Sequence, residues 1–139
     1  MRESTDWRVE LNRAGASLQE LLSEGMPADN PERWVQRLED KLGAVSRALT
    51  GFCSDCDLGL YDDCIELAPR LVPQVNKIRS EQVQLQASVQ EQIKLLHTQQ
   101  PGPGLQRSMR AIVFKVDQLN HHAVDLVYSA YDTDLGGPG

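Results

Sequence analysis

The residues with the most evident chemistry are three cysteines that lie close together in the chain. Cys53, Cys56 and Cys64 follow the spacing Cys-x2-Cys-x7-Cys. Two thiolates separated by two residues can bind one tetrahedral zinc ion, but a structural zinc site usually has a second close pair. The chain contains only these 3 cysteines, so we expect reduced thiols, no bound metal and no cofactor. The alternative is a metal- or redox-responsive protein that uses this cysteine cluster.

The cysteines lie within a strongly acidic segment. Residues 54–66 contain five acidic residues and no basic one, in a chain whose formal net charge is -6. Their spacing does not match an EF-hand, because Leu60 stands where that loop needs glycine. We interpret the segment as an exposed loop whose charge suits a basic patch on a protein partner. The aspartates that we expect to contact the partner are Asp55, Asp57, Asp62 and Asp63.

The three histidines do not form a catalytic or metal-binding motif. A di-iron helical bundle needs a glutamate three residues before a histidine on each of two helices, whereas Lys94, Gln118 and Leu119 hold those positions here. The chain also lacks the His-Glu-x-x-His motif and the glycine-rich loops that bind phosphate. We therefore predict that the protein is not an enzyme and has no catalytic residues.

The elements that would position these residues are four amphipathic helices. Apolar residues recur at steps of three and four, the spacing of a helix with one buried face. The helical segments run over about residues 4–24, 30–52, 73–100 and 105–131. Pro69 and Pro73 predict a short helical turn near 62–68, followed by a kink or a break. Short connections make successive helices antiparallel neighbours.

These segments predict an all-α fold, an antiparallel up-down four-helix bundle with a kinked or broken third helix. We expect one bundle domain over residues 1–133 and a flexible C-terminal tail over residues 134–139. A three-helix core whose first helix pairs with another chain remains an alternative. Gln82 and Gln92 interrupt the apolar stripe of the third segment. We place both at its margin, and a buried polar layer is the alternative.

The last helix carries apolar and aromatic residues on the face opposite its core stripe. We call these residues the outer strip: Phe114, His121, Val124, Tyr128 and Tyr131. A bundle helix is normally polar on this face, so the strip indicates a surface that binds a protein partner, most simply a second copy of the chain. A two-fold axis at His121 would bring two imidazoles together, and acidification would then weaken the dimer. The alternatives are a first helix that covers this face and a small-molecule groove.

The end of this helix resembles a known export signal. Tyr128-x3-Asp132 is similar to the tyrosine-x-x-x-acid signal of actinobacterial type VII secretion substrates, which are antiparallel helical pairs. The resemblance covers these five residues, and the Trp-x-Gly turn of that family is replaced by Pro101-Gly-Pro-Gly104. It implies a secreted helical hairpin as a third hypothesis.

Composition narrows the remaining classes of function. The acidic charge disfavours nucleic acid as a partner, since phosphate binding needs a basic face. The sequence contains no run of about 18 apolar residues, so we expect no membrane-spanning segment. The polar residues 1–7 are unlike a secretory signal. The sequence therefore predicts a cytoplasmic, non-enzymatic interaction module, an adaptor or scaffold that forms a homodimer through coiled-coil-like helices.

Overall fold

The computed structural model describes residues 6–98 and 101–135, with their side chains as far as residue 132. Every regular element within these ranges is helical, and no strand occurs in them. The elements are α1 (Trp7–Glu24), α2 (Pro31–Asp55), a π-helical turn (Cys56–Leu60), α3 (Tyr61–Leu67), a 3-10 turn (Pro69–Leu71), α4 (Val72–Leu95) and α5 (Pro103–Leu135). The predicted all-α class is confirmed.

Local hydrogen bonds account for the start and the end of α1. The side chain of Asp6 accepts a hydrogen bond from the backbone N–H of Val9 at 3.2 Å, which satisfies one of the free donors of the first turn. At the other end, the N–H of Gly25 donates to the carbonyl of Leu22. Gly25 has a φ of 77°, a conformation that glycine adopts without steric cost.

The predicted loop after Phe52 is wrong, because the chain remains helical as far as Leu67. The side chain of Asn30 caps α2 by accepting from the N–H of Arg33 at 3.3 Å. From that cap the chain continues through α2, the π-helical turn and α3. The buried side chains of Cys56, Tyr61 and Cys64 continue the apolar face of α2, and this burial outweighs the acidic residues between them.

The two prolines lie where a helix starts anew. The backbone of Ala68 leaves helical geometry, with φ of -146° and ψ of 86°. Pro69 then begins the 3-10 turn, and Pro73 lies in the first turn of α4, where the missing N–H would have had no partner in the helix. Helix α4 ends at Leu95 rather than near residue 100.

Helix α5 is longer than its apolar stripe predicts. It runs from Pro103 to Leu135, so residues 134 and 135 of the expected flexible tail are helical. The remainder of that tail, residues 136–139, lies outside the described residues. The predicted stripe of α5 is buried throughout. Its members are Leu105, Met109, Ile112, Val116, Leu119, Ala123, Leu126 and Ala130.

The four long helices enclose one apolar core. Helix α1 packs on α2 and α5, and α4 packs on the same two helices, so the first helix belongs to its own bundle. The indole of Trp7 occupies the space that a Cβ atom at Gly51 would fill. Among the described helices, none has the length and apolarity needed to cross a bilayer.

We expect Leu119→Ala to lower the free energy of unfolding by about 2–5 kcal/mol, because it leaves a cavity in this core. Leu119 is 1% exposed. The matched control is Val83→Ala on α4, where the valine is 65% exposed and the change should stay within about 0.5 kcal/mol. Urea denaturation followed by circular dichroism measures both. Equal losses in the two variants would contradict the assignment of the core.

Candidate interaction surface and its grooves

The outer strip is exposed along its whole length. Tyr128 is 71% exposed and Phe114 is 61% exposed, although the opposite face of the same helix is buried. Val124, Tyr131 and His121 are also exposed. Helix α1 therefore does not cover this face, so the alternative in which the first helix covers it is wrong.

One end of the strip borders an apolar groove, which we call the Tyr128 groove. It has a volume of about 520 Å³ and lies between the start of α1, the end of α2 with the π-helical turn, and the second half of α5. Val124, Tyr128 and Tyr131 line it from α5, and Leu60 lines it from the π-helical turn. Its charged lining residues are Asp6, Arg8 and Asp55.

The other end of the strip borders a second groove. Phe114 lines a space of about 390 Å³ between α5 and α1, together with Gly15 and Ala16. A Cβ atom on Gly15 would lie 3.0 Å from Cγ1 of Val116, so the two helices approach closely beside this groove. The structure thus places Phe114 and Tyr128 at two separate grooves along the α1–α5 boundary.

A buried polar cluster lies behind the Tyr128 groove. The hydroxyl of Tyr61 donates to Oε1 of Gln82 at 2.5 Å, and Nε2 of Gln82 donates to Sγ of Cys56 at 3.5 Å. Gln82 is 3% exposed, so its predicted position at the margin of the stripe is wrong and the buried alternative holds there. Gln92 is only partly buried.

The environment of the cysteines suppresses their reactivity. Burial, together with the nearby charges of Cys56 and Asp57, raises the pKa of Cys53 to about 11. Burial also raises the pKa of Cys56 and of Cys64. Because the thiolate is the nucleophile and the metal ligand, a raised pKa disfavours both kinds of chemistry at neutral pH. All three thiols are free, and the described residues contain no group of three or more metal-ligating side chains.

The acidic residues do not gather on one surface. Asp55 lines the Tyr128 groove, whereas Asp57 forms an ion pair with Arg79 of α4 at 3.5 Å. The guanidinium of Arg79 also lies 4.9 Å from the centre of the Tyr61 ring. Asp62 and Asp63 are exposed in the first turn of α3. Of the four aspartates predicted to contact a partner, only Asp55 therefore lies on the surface that contains the outer strip.

His121, at the middle of the strip, lies in an acidic environment. Its Nδ1 lies 2.8 Å from the backbone carbonyl oxygen of Asp117 and 3.6 Å from Oδ2 of the same residue. The hydrogen bond to that carbonyl raises the pKa of His121, and the charges of Asp117 and Asp125 raise it further. These two carboxylates place negative charge beside the imidazole and favour its protonated form.

Comparison with known proteins assigns no family to this chain. No model of a protein family matches it, and no curated protein and no solved structure matches it. The resemblance to the export signal therefore rests on Tyr128-x3-Asp132 alone.

We expect Tyr61→Phe to lower the free energy of unfolding by about 1–3 kcal/mol, because Oε1 of Gln82 loses its donor inside the core. The matched control is Tyr128→Phe, which removes the same hydroxyl from an exposed ring and should change stability by less than about 0.5 kcal/mol. Thermal and urea denaturation measure the difference. Similar values for the two variants would mean that the buried hydrogen bond contributes nothing.

Proposed function

We propose that this chain is a non-enzymatic protein–protein interaction module, an adaptor or scaffold that self-associates through its outer strip. The observation that carries the proposal is the row of exposed aromatic residues opposite a complete core stripe on α5. Aromatic residues are the usual anchors of protein interfaces. Val124, Tyr128 and Tyr131 cluster at one end of this row, and an exposed apolar patch is typical of an interaction site.

The size of the surface supports a modest, reversible interface. The strip spans about 25 Å along α5 at 1.5 Å per residue. Its five side chains expose roughly 500 Å² on the usual sizes of these residues, and a stable interface buries about 800 Å² on each partner. Lining residues of the Tyr128 groove such as Arg8 and Leu60 would supply the difference. A two-fold arrangement buries the same patch on both copies at once.

The bundle that presents the strip is proposed to have an antiparallel up-and-down order. Contacts between α1 and α2 support this order, because Trp7 meets Gly51 while Glu24 pairs with Arg37 at 3.2 Å. Two hydrogen bonds between α2 and α4 support it as well. Nε2 of Gln86 donates to Oγ1 of Thr50 at 3.0 Å, and Nε2 of Gln90 donates to Oγ of Ser46 at 2.8 Å.

The proposal includes a cytoplasmic location and a protein as the only partner. Three free thiols are typical of a reducing compartment. The net charge of -6 disfavours nucleic acid, which attracts basic proteins. Asp55 lies beside the strip in the Tyr128 groove, so a basic side chain of the second copy is its natural counterpart.

We expect the wild-type chain to form a dimer at micromolar concentration. Tyr128→Glu should raise its dissociation constant about 100-fold or more, because loss of an anchor residue costs about 2 kcal/mol or more of binding free energy. Sedimentation velocity over a concentration series measures the change. The matched control is Val83→Glu, which places the same charge at an exposed valine on α4.

Two outcomes would contradict this proposal. The first is a wild-type chain that remains monomeric at several hundred micromolar, because such a chain does not self-associate. A dimer that weakens equally in Val83→Glu and Tyr128→Glu would place the effect in net charge rather than in the outer strip.

We also expect mild acidification to tighten the dimer. With a two-fold axis at His121, each protonated imidazole meets one imidazole of the second copy but two of its carboxylates, those of the second copy's Asp117 and Asp125. The attractions outnumber the repulsion, and the pKa of His121 is raised, so protonation begins above the usual range of histidine. Between pH 7.5 and pH 6 the dissociation constant should fall about two- to five-fold at low salt.

The control for this pH dependence is His121→Ala. It should remove the dependence while leaving the other two histidines, His97 and His122, in the chain. A dimer that weakens on acidification only when His121 is present would contradict this expectation. It would mean that repulsion between the two imidazoles outweighs their attraction to the carboxylates.

A further inference from the structure

The outer strip has an internal symmetry that matches a two-fold axis. Phe114 lies seven residues before His121, and Tyr128 lies seven residues after it. Each is therefore about 10 Å from His121 along the helix. When two copies of α5 pack antiparallel with the axis at His121, Phe114 of one copy lies level with Tyr128 of the other.

The two residues differ in the space beside them. Tyr128 borders the groove of about 520 Å³, whereas Phe114 borders the smaller groove of about 390 Å³ and its ring is 61% exposed. We infer that Phe114 of each copy inserts into the Tyr128 groove of the other, so that the dimer contains two identical ring-in-groove contacts. This inference rests on the proposed self-association and specifies how the two surfaces fit.

The lining of the groove suits an aromatic ring. Val124, Val127 and Leu60 present aliphatic side chains, and Tyr128 and Tyr131 present rings. An aromatic side chain buries about 150–250 Å² when it is enclosed. Each ring also covers groove walls outside the strip, such as Val127 and Leu60, and this added area brings the buried surface closer to what a stable dimer needs.

The register also bears on what occupies the groove. Positions seven residues before and after His121 differ from it by only about 20° in direction, so Phe114 and Tyr128 both lie near the centre of an antiparallel seam. This matched spacing favours a second copy of the chain as the occupant of the groove over an unrelated apolar segment, for which the spacing would have no meaning.

The test removes the ring and closes the groove in separate chains. Phe114→Ala leaves the groove intact but removes the ring. Leu60→Trp leaves Phe114 intact but fills the groove from the π-helical turn, outside the strip. Each variant alone should raise the dissociation constant of the homodimer about 100-fold, because both ring-in-groove contacts are lost. Val83→Ala on α4 is the control and should leave the dimer unchanged.

Mixing the two variants gives the decisive measurement. The heterodimer regains one contact, since Phe114 of the Leu60→Trp chain can enter the open groove of the Phe114→Ala chain. Sedimentation of the fluorescently labelled Phe114→Ala chain should therefore show tighter association with the Leu60→Trp chain than with itself. Circular dichroism and thermal unfolding check that each variant folds. Val124→Trp is a second way to fill the groove, at a residue that is already 45% exposed.

The outcomes separate this inference from the proposed function. Tighter association in the mixture supports the ring-in-groove contact. A dimer that is weakened by Tyr128→Glu but not by Phe114→Ala overturns the contact and leaves the interaction module standing. A mixture that associates no better than the single variants likewise overturns the contact. A monomeric wild-type chain overturns both proposals.

Discussion

The contact on which much of the structure depends is the hydrogen-bonded cluster of Gln82, Tyr61 and Cys56. In an α-helix, residues five apart differ by about 140° in direction, at 3.6 residues per turn. Cys56 and Tyr61 are five apart, yet both bond to the side chain of Gln82. The π-helical turn between them makes this possible, since the N–H of Tyr61 donates to the carbonyl of Cys56 and closes a wider ring. The irregular turn thus occurs where the buried side-chain amide of Gln82 needs hydrogen-bond partners.

This turn also shapes the candidate site. Cys56 and Leu60 lie at its two ends and both line the Tyr128 groove, while the side chain of Cys56 also accepts the hydrogen bond from Gln82 on α4. A turn of ordinary α-helix would rotate the residues that follow and would point a different side chain toward α5. The polar cluster on one side and the apolar groove on the other are therefore two consequences of the same local geometry.

The sequence predicted what depends on periodicity and missed what depends on distant neighbours. The stripe of α5 is buried as its spacing predicts, because a 3.6-residue repeat fixes which side chains share a face. The predicted loop over residues 54–66 is wrong because acidic residues are typical of exposed loops, whereas burial of Tyr61 and Cys64 keeps this segment helical. The partner of Gln82 and the grooves involve residues that only the fold brings together. The interruption of the stripe at Gln82 was the available signal for the polar cluster.

The two faces of α5 have different roles. One face packs in the core of the bundle, and the other is the face of the proposed self-association. The core stripe of this helix is enclosed by residues of the same chain, so the bundle does not need a second copy to bury its apolar residues. The outer strip adds a second apolar face, interrupted by His121 and flanked by Asp117 and Asp125. Charged groups beside a small apolar patch are typical of interfaces that form and dissociate, whereas obligate interfaces are larger and more apolar. For the proposed dimer, this composition favours a folded monomer that would pair reversibly, with the charge around His121 setting how readily it would do so.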